Sequence, residues 1–298
     1  MIASDKRLFC FGLGSSALAL ATLLKAEGWR IAGTCRSAEK AAALAARDIE
    51  TYRFDGEAPM ADAAAALAGT THLLISAPPG PPDSQGVGDP VLRQHAADIA
   101  TLSSLQWLGY LSTTGVYGDR QGAWVDEATP LAPSGERGMR RVAAEAGWLE
   151  LWRRHGLPVH LFRLAGIYGP DSNALATVRA GKAQRIDKPG QVFSRIHVAD
   201  IAQVLRASMA KPNPGAAYNV CDDNPAAPEE VIRYACELLG VTPPPLVPFD
   251  SAQLSPMARS FYDDNKRVRN DRIKTELGVV LAYPDYKAGL QALLRAEG

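Results

Sequence analysis

Gly12-Leu13-Gly14-Ser15-Ser16-Ala17 is the stretch whose residue types and spacing point most directly to chemistry. It follows an apolar run, Arg7 to Phe11, long enough for one buried strand. It precedes Leu18, Leu20, Ala21, Leu23 and Leu24, spaced for the apolar face of a helix that stops at Gly28. Glycines between a strand and a helix N-terminus suit a pyrophosphate. Gly12 permits the tight turn, Gly14 lets backbone N–H groups approach the ligand, and small Ala17 lets the helix lie close to a sheet. Gly12, Leu13, Gly14, Ser15 and Ser16 are therefore the candidate cradle for a dinucleotide.

The end of the next strand selects the cofactor. Arg30 to Thr34 follows at βαβ distance and runs into Cys35-Arg36-Ser37. An acidic residue there would bind a ribose 2′-hydroxyl, whereas an arginine suits a 2′-phosphate. Arg36 can fork onto that phosphate, and Ser37 can donate to it and also cap the following helix. The first acid, Glu39, already lies inside that helix, so the reading is NADP(H) in preference to NAD(H), with a solvated surface arginine as the alternative. Asp55, ending the third strand, is either an adenine contact or the turn residue of Asp55-Gly56. Ser76, Ala77 and Pro78 end the fourth strand with small residues that let the chain pass beside a dinucleotide, and a Pro/Gly-rich loop runs on to Pro90.

Positioning these groups requires a sheet covered on both faces. Strands are expected near 7–11, 30–34, 49–54, 72–76, 107–112, 159–164 and 217–220, with helices between them, which implies βαβ units and a doubly wound parallel α/β sheet. After residue 168 Pro/Gly punctuation rises. The expected organisation is a Rossmann domain of 1–168 together with 192–220, and a smaller C-terminal substrate lobe of 169–191 together with 221–298. The 298 residues are 47% hydrophobic and 21% charged, an ordinary globular balance. With 32 basic and 32 acidic residues, nucleic acid and anionic membrane are not expected as main partners. No apolar run approaches the roughly 20 residues of a membrane span, and the N-terminus lacks a signal-peptide core, so the cytoplasm is the expected location. Cys10, Cys35, Cys221 and Cys236 form no CxxC pair and read as buried thiols. The five histidines show no ligand spacing, so no metal site is expected.

Four ordered motifs carry a resemblance over nearly the whole chain. Leu111-Ser112-Thr113-Thr114-Gly115-Val116-Tyr117-Gly118-Asp119, Arg163-Leu164-Ala165-Gly166-Ile167-Tyr168-Gly169-Pro170, Arg195-Ile196-His197-Val198-Ala199-Asp200-Ile201 and Ala217-Tyr218-Asn219-Val220 resemble those of the extended short-chain dehydrogenases, the nucleotide-sugar epimerase and dehydratase family. The resemblance implies a Rossmann fold, a nicotinamide cofactor and a small-molecule substrate, with a nucleotide sugar as the family's example. It also implies a homodimer built on helices near 91–104 and 134–155, where Val142, Ala146, Leu149 and Trp152 form an apolar stripe.

One departure is chemical. The family's acid/base is a tyrosine followed four residues later by a lysine. Aligning the motif's downstream glutamate on Glu145 puts Arg137 and Arg141 at those positions, and a guanidinium stays protonated at neutral pH. Together with the GxGxxA turn, this resembles the atypical subgroups that keep the fold and cofactor site without the usual tetrad. The remaining candidates are Thr113 for a substrate hydroxyl or carbonyl, Arg141 for a ribose or substrate anion, and Arg137 as a new polar group. Tyr117, Tyr168 and His197 are candidate substrate contacts; each is equally readable as packing or as a lobe-fixing hydrogen bond. Three functions stay open: an NADP(H)-dependent oxidoreductase or epimerase/dehydratase-like enzyme with an altered site, a non-catalytic NADP(H)-sensing or scaffolding protein, and an enzyme that takes hydride from the cofactor while substrate or water provides the proton.

Overall fold

The computed structural model describes residues 6–84 and 86–297. The expected strands all form: β1 (Arg7–Phe11), β2 (Arg30–Cys35), β3 (Glu50–Arg53), β4 (His72–Ile75), β5 (Trp107–Thr113), then, past a short β6 (Trp124–Val125), β7 (Val159–Leu164). The last of them, β11 (Ala217–Val220), follows short strands β8 (Gly166–Tyr168), β9 (Arg185–Asp187) and β10 (Arg195–His197). Among the described residues these seven make one sheet in the order β11-β7-β5-β4-β1-β2-β3. The pairs β1–β2, β1–β4, β2–β3 and β4–β5 are parallel, with Phe9 opposite Ala32 on one side and Leu73 on the other. The strands β1, β4, β5 and β7 are buried almost throughout because both sheet faces are covered there, as doubly wound sheets require, whereas β3 at the sheet edge reads Glu-Thr-Tyr-Arg and is at most half buried.

The helices are α1 (Ser15–Ala26), α2 (Ala38–Ala45), α3 (Ala63–Leu67), α4 (Pro90–Ala100), α5 (Glu136–His155), α6 (Ala174–Arg179) and α7 (Val198–Ala210), with α8 (Pro228–Leu239) further along the chain. Two further strands, β12 (Leu246–Pro248) and β13 (Arg267–Val268), and helices α9 (Pro256–Ser260), α10 (Asp271–Thr275) and α11 (Tyr286–Glu297) complete the described chain. Local chemistry explains several starts. Ser37 caps α2 by accepting from the Lys40 N–H, and Asp89 caps α4 by accepting from the Val91 and Leu92 amides, with Pro90 at the first helical position. Phe9, Phe11, Leu73, Ile75, Leu108 and Trp148 fill the core beneath α4 and α5.

The chain divides into two compact units. One comprises 1–113, 139–163 and 202–218; the other comprises 114–138, 164–201 and 219–298. The second takes in 114–138, which the sequence boundary at 168 leaves with the dinucleotide domain. Asn265 is a physical reason: its N–H donates to Asp119 Oδ1 at 2.8 Å, and its carbonyl accepts from the Arg120 and Gly122 amides at 3.0 and 2.9 Å. All four cysteines are buried and free. No described helix is long and apolar enough to cross a membrane.

Candidate functional site

The first unit holds the glycine turn at the point where the strand order reverses, between β1 and β4, which is where open parallel sheets bind ligands. Thr34 at the end of β2 pins the turn. Its hydroxyl accepts from the Gly12 N–H at 2.8 Å and its carbonyl from the Leu13 N–H at 3.0 Å. Gly12 has φ +91°, and a Cβ there would meet the Ala77 nitrogen at 3.1 Å, so the chain after β4 can pass only beside a glycine. The Ser76 and Ala77 amides both donate to the Phe11 carbonyl at 2.9 Å, which brings Ser76 and Ala77 to the turn, while Pro78 is exposed.

A Cβ built on Gly14 meets nothing within 4 Å, and Gly14 starts α1 with no side-chain cap. The helix therefore offers its positive end to open space, bordered by exposed Ser15 and buried Ser16. These features fit the diphosphate of a nicotinamide dinucleotide. Arg36 is exposed, and among the described residues no ion pair or side-chain hydrogen bond holds it. Ser37 uses its oxygen as the α2 cap at 3.3 Å, which leaves its O–H able to donate. Asp55 Oδ1 accepts from the Glu57 N–H at 3.1 Å, the geometry of the turn alternative.

Thr113 ends β5, half buried. Arg141, on α5, points its Nη1 at the Leu111 carbonyl and at Tyr110 Oη, 3.2 Å away, with its guanidinium over the Tyr110 ring. The group at the lysine position thus fastens β5 just before Thr113, and it makes no carboxylate ion pair among the described residues. Beneath it lies a network that sequence reasoning missed. Glu145 accepts from Ser112 Oγ at 2.5 Å and from Arg163 Nη2 at 2.9 Å, with side chains 3% and 7% exposed for Glu145 and Arg163. Ser112 and Arg163 stand in two of the quoted motifs and Glu145 is the glutamate on which the helix motif aligns, the signals that could have flagged the network. Asp89, also missed, accepts from Trp148 Nε1 at 3.3 Å, and burial raises its carboxyl above the usual range.

The stripe on α5 is partly committed to its own unit. Leu149 and Trp152 pack on the core, and a Cβ on Gly215 would come within 2.5 Å of the Trp152 ring.

The second unit holds the other candidates. Arg137 is exposed, with its guanidinium 5.5 Å from the centroid of Phe261. Tyr117 is completely buried and donates its hydroxyl to Asn219 Oδ1 at 2.7 Å. Tyr168 donates to the Asp285 carbonyl at 3.3 Å, and burial pushes its phenol far above the usual range. Each hydroxyl thus has a hydrogen-bond partner within the second unit. The bond expected of His197 runs the other way: Nδ1 accepts from the Ala199 amide at 3.2 Å and binds no carbonyl. The reason is local, because β10 turns directly into α7 and presents a first-turn N–H to the ring. Nε2 is buried with no partner among the described residues, Tyr283 and Tyr168 flank the ring at 4.0 and 5.2 Å, and burial depresses its pKa to about 4.

Comparison with known proteins adds four observations. Residues 17–221 match the model of the NAD dependent epimerase/dehydratase family. Protein YeeZ of Escherichia coli strain K12 is 30% identical over 293 residues, covering 94% of this chain and 97% of that protein. A functionally unknown conserved protein from Silicibacter pomeroyi DSS, whose structure is solved, shares 54% identity and a TM-score of 0.88 over 98% of this chain and 99% of that one. The UDP-glucuronic acid 4-epimerase from Bacillus cereus, solved with UDP-glucuronic acid and NAD, superposes with a TM-score of 0.77 over 97% of this chain and 98% of that one. At 17% identity that last likeness speaks for the fold alone.

Proposed function

This chain belongs to the NAD dependent epimerase/dehydratase family, and from that premise we propose that it is an NADP(H)-preferring oxidoreductase or epimerase/dehydratase-like enzyme whose acid/base pair has been replaced. The observation that carries the cofactor preference is Arg36, exposed beside Ser37 at the end of β2 and, among the described residues, without an ion pair or a competing carboxylate. A guanidinium fork matches a 2′-phosphate bidentately, and a carboxylate at that place would repel it.

The bound nicotinamide would supply hydride transfer. The chain's own residues have narrower tasks. Gly12 to Ser16 would bind the diphosphate through backbone amides, with Ser76, Ala77 and Pro78 along its flank. Thr113 would hold a substrate hydroxyl or carbonyl. Arg141 steadies the strand that carries Thr113 and leaves Nε and Nη2 for a ribose or substrate anion. Neither Arg137 nor Arg141 can move a proton near neutral pH, so proton transfer falls to the substrate or water. A small-molecule substrate is implied, with a nucleotide sugar as the family's precedent.

Calorimetric titration with NADPH and NADH tests the reading. Wild-type protein should bind NADPH more tightly. Arg36→Ala should lose about 1.5 to 3 kcal/mol on NADPH and nothing on NADH, the range for hydrogen bonds to charged groups. Equal affinities in the wild type would overturn the cofactor preference.

A further inference from the structure

Three rings of the first unit close into a triangle beside the glycine turn. Phe11, the last residue of β1 and the neighbour of Gly12, has its ring centroid 5.6 Å from that of Phe54 and 5.4 Å from that of His95, and Phe54 and His95 are 5.2 Å apart. All three are buried, Phe11 and His95 completely. Phe54 follows β3 directly, and its N–H donates to the Cys35 carbonyl at the end of β2 at 3.2 Å. The triangle therefore ties the carboxyl ends of β1 and β3 to α4. Together with β2, those ends form the half of the sheet that receives the adenosine end of a dinucleotide.

His95 is the polar member of the triangle, and both ring nitrogens are committed. Nε2 accepts from the buried Met60 N–H at 3.2 Å, which puts the ring proton on Nδ1, and Nδ1 donates to Asp98 Oδ2 at 2.8 Å. The two residues before it on α4 hold the same stretch of chain. Arg93 Nη2 donates to the Gly56 carbonyl at 2.7 Å, and Gln94 Nε2 donates to the Glu57 carbonyl at 3.2 Å. Gly56, at φ +94°, passes so near Pro90 that a Cβ on it would meet the proline ring at 2.8 Å. Consecutive helix residues diverge by about 100°, so three of them reaching one segment means that 56–60 wraps around the start of α4. That segment has no strand or helix of its own, and these side-chain bonds to its backbone set its place.

We propose that Arg93, Gln94 and His95 are positioning residues for the adenosine half of the dinucleotide site. They fix the segment that begins at Asp55 against the end of β3, and His95 carries the restraint to Phe11 at the glycine turn. The proposal rests on the chain binding a nicotinamide dinucleotide, and it is independent of the preference for NADP(H). Removing the Nε2 acceptor leaves the Met60 N–H buried without a partner, a loss the segment relieves by moving, because no ladder of its own holds it.

Calorimetric titration of the full chain with NADPH and with ADP, the half common to both nicotinamide dinucleotides, tests it. His95→Leu should weaken both ligands by the same factor, about tenfold, as an unsatisfied buried donor implies. His95→Gln, whose amide can accept from Met60 and donate to Asp98, should return both to within about twofold of wild type. Folding is checked by circular dichroism. Should His95→Leu fail to fold, Arg93→Met decides: it keeps the apolar stem, deletes the bond to Gly56 and should weaken both ligands by about threefold to fivefold. Wild-type protein that binds neither ligand overturns the dinucleotide reading and this proposal with it. Wild-type protein that binds NADPH but not ADP overturns the positioning alone. So does a variant that loses NADPH but not ADP, or neither, and so does a His95→Gln protein as weak as His95→Leu.

Discussion

Replacing Asp222 by asparagine should flatten the dependence of stability on pH in the range where the wild-type protein loses it. The Asp222 carboxyl moves from an ordinary 3.8 to about 8 on folding because burial disfavours its charged form, a penalty that the field of Arg195 and the Asn224 and Arg195 hydrogen bonds offset only in part. Between those values the unfolded chain has released the proton and the folded chain still holds it. The stability linked to this group is thus complete below pH 3.8 and is lost as pH rises to about 8, at about 1.4 kcal/mol per pH unit. Over the whole interval that amounts to about 5 to 6 kcal/mol. Three buried histidines act in the opposite direction: His72, His160 and His197 are depressed from 6.5 to about 4, so their share is present above pH 6.5 and lost as pH falls toward 4. From pH 6.5 to 8 the histidines no longer contribute a slope, and Asp222 should cost the wild type about 2 kcal/mol. Urea unfolding followed by circular dichroism at pH 6.5, 7.2 and 8.0 measures it. Asp222→Asn keeps the acceptor for the Asn224 N–H and cannot ionise, so its stability should stay level. Parallel curves for the two proteins would refute the assignment of that proton to Asp222.

Three further outcomes follow from the same geometry. Redox turnover of UDP- or GDP-sugars should be slower by about 10² to 10⁴ than with an intact acid/base pair, and Arg137→Tyr with Arg141→Lys should restore part of it; wild-type rates of about 1 to 10³ per second would show that another group moves the proton. Glu145→Gln should cost about 3 to 5 kcal/mol in urea unfolding, because Arg163 would be left buried against a neutral amide, whereas replacing both residues by methionine should recover most of the loss. Light scattering at micromolar concentration should report a dimer; since Leu149 and Trp152 already pack internally, Val142 and Ala146 must carry the α5 contact, and a monomer would count against that interface.

What the sequence determines by itself is whatever depends on neighbours along the chain. The seven strands, the turn at Gly12 and the Ser37 cap were legible because apolar runs, glycine freedom and short side-chain caps act over a few residues. The order of motifs likewise announced the family. The tertiary structure alone decided the partners. Ser112, Glu145 and Arg163 meet across 18 to 33 residues, and Tyr117 finds Asn219 across 102. The sequence left Tyr117 and Tyr168 open between substrate contact and packing, and only the fold supplied the hydrogen-bond partners of their hydroxyls, Asn219 and the Asp285 carbonyl. The proton held by Asp222 arises from burial, and burial is a property of how distant segments close over a group.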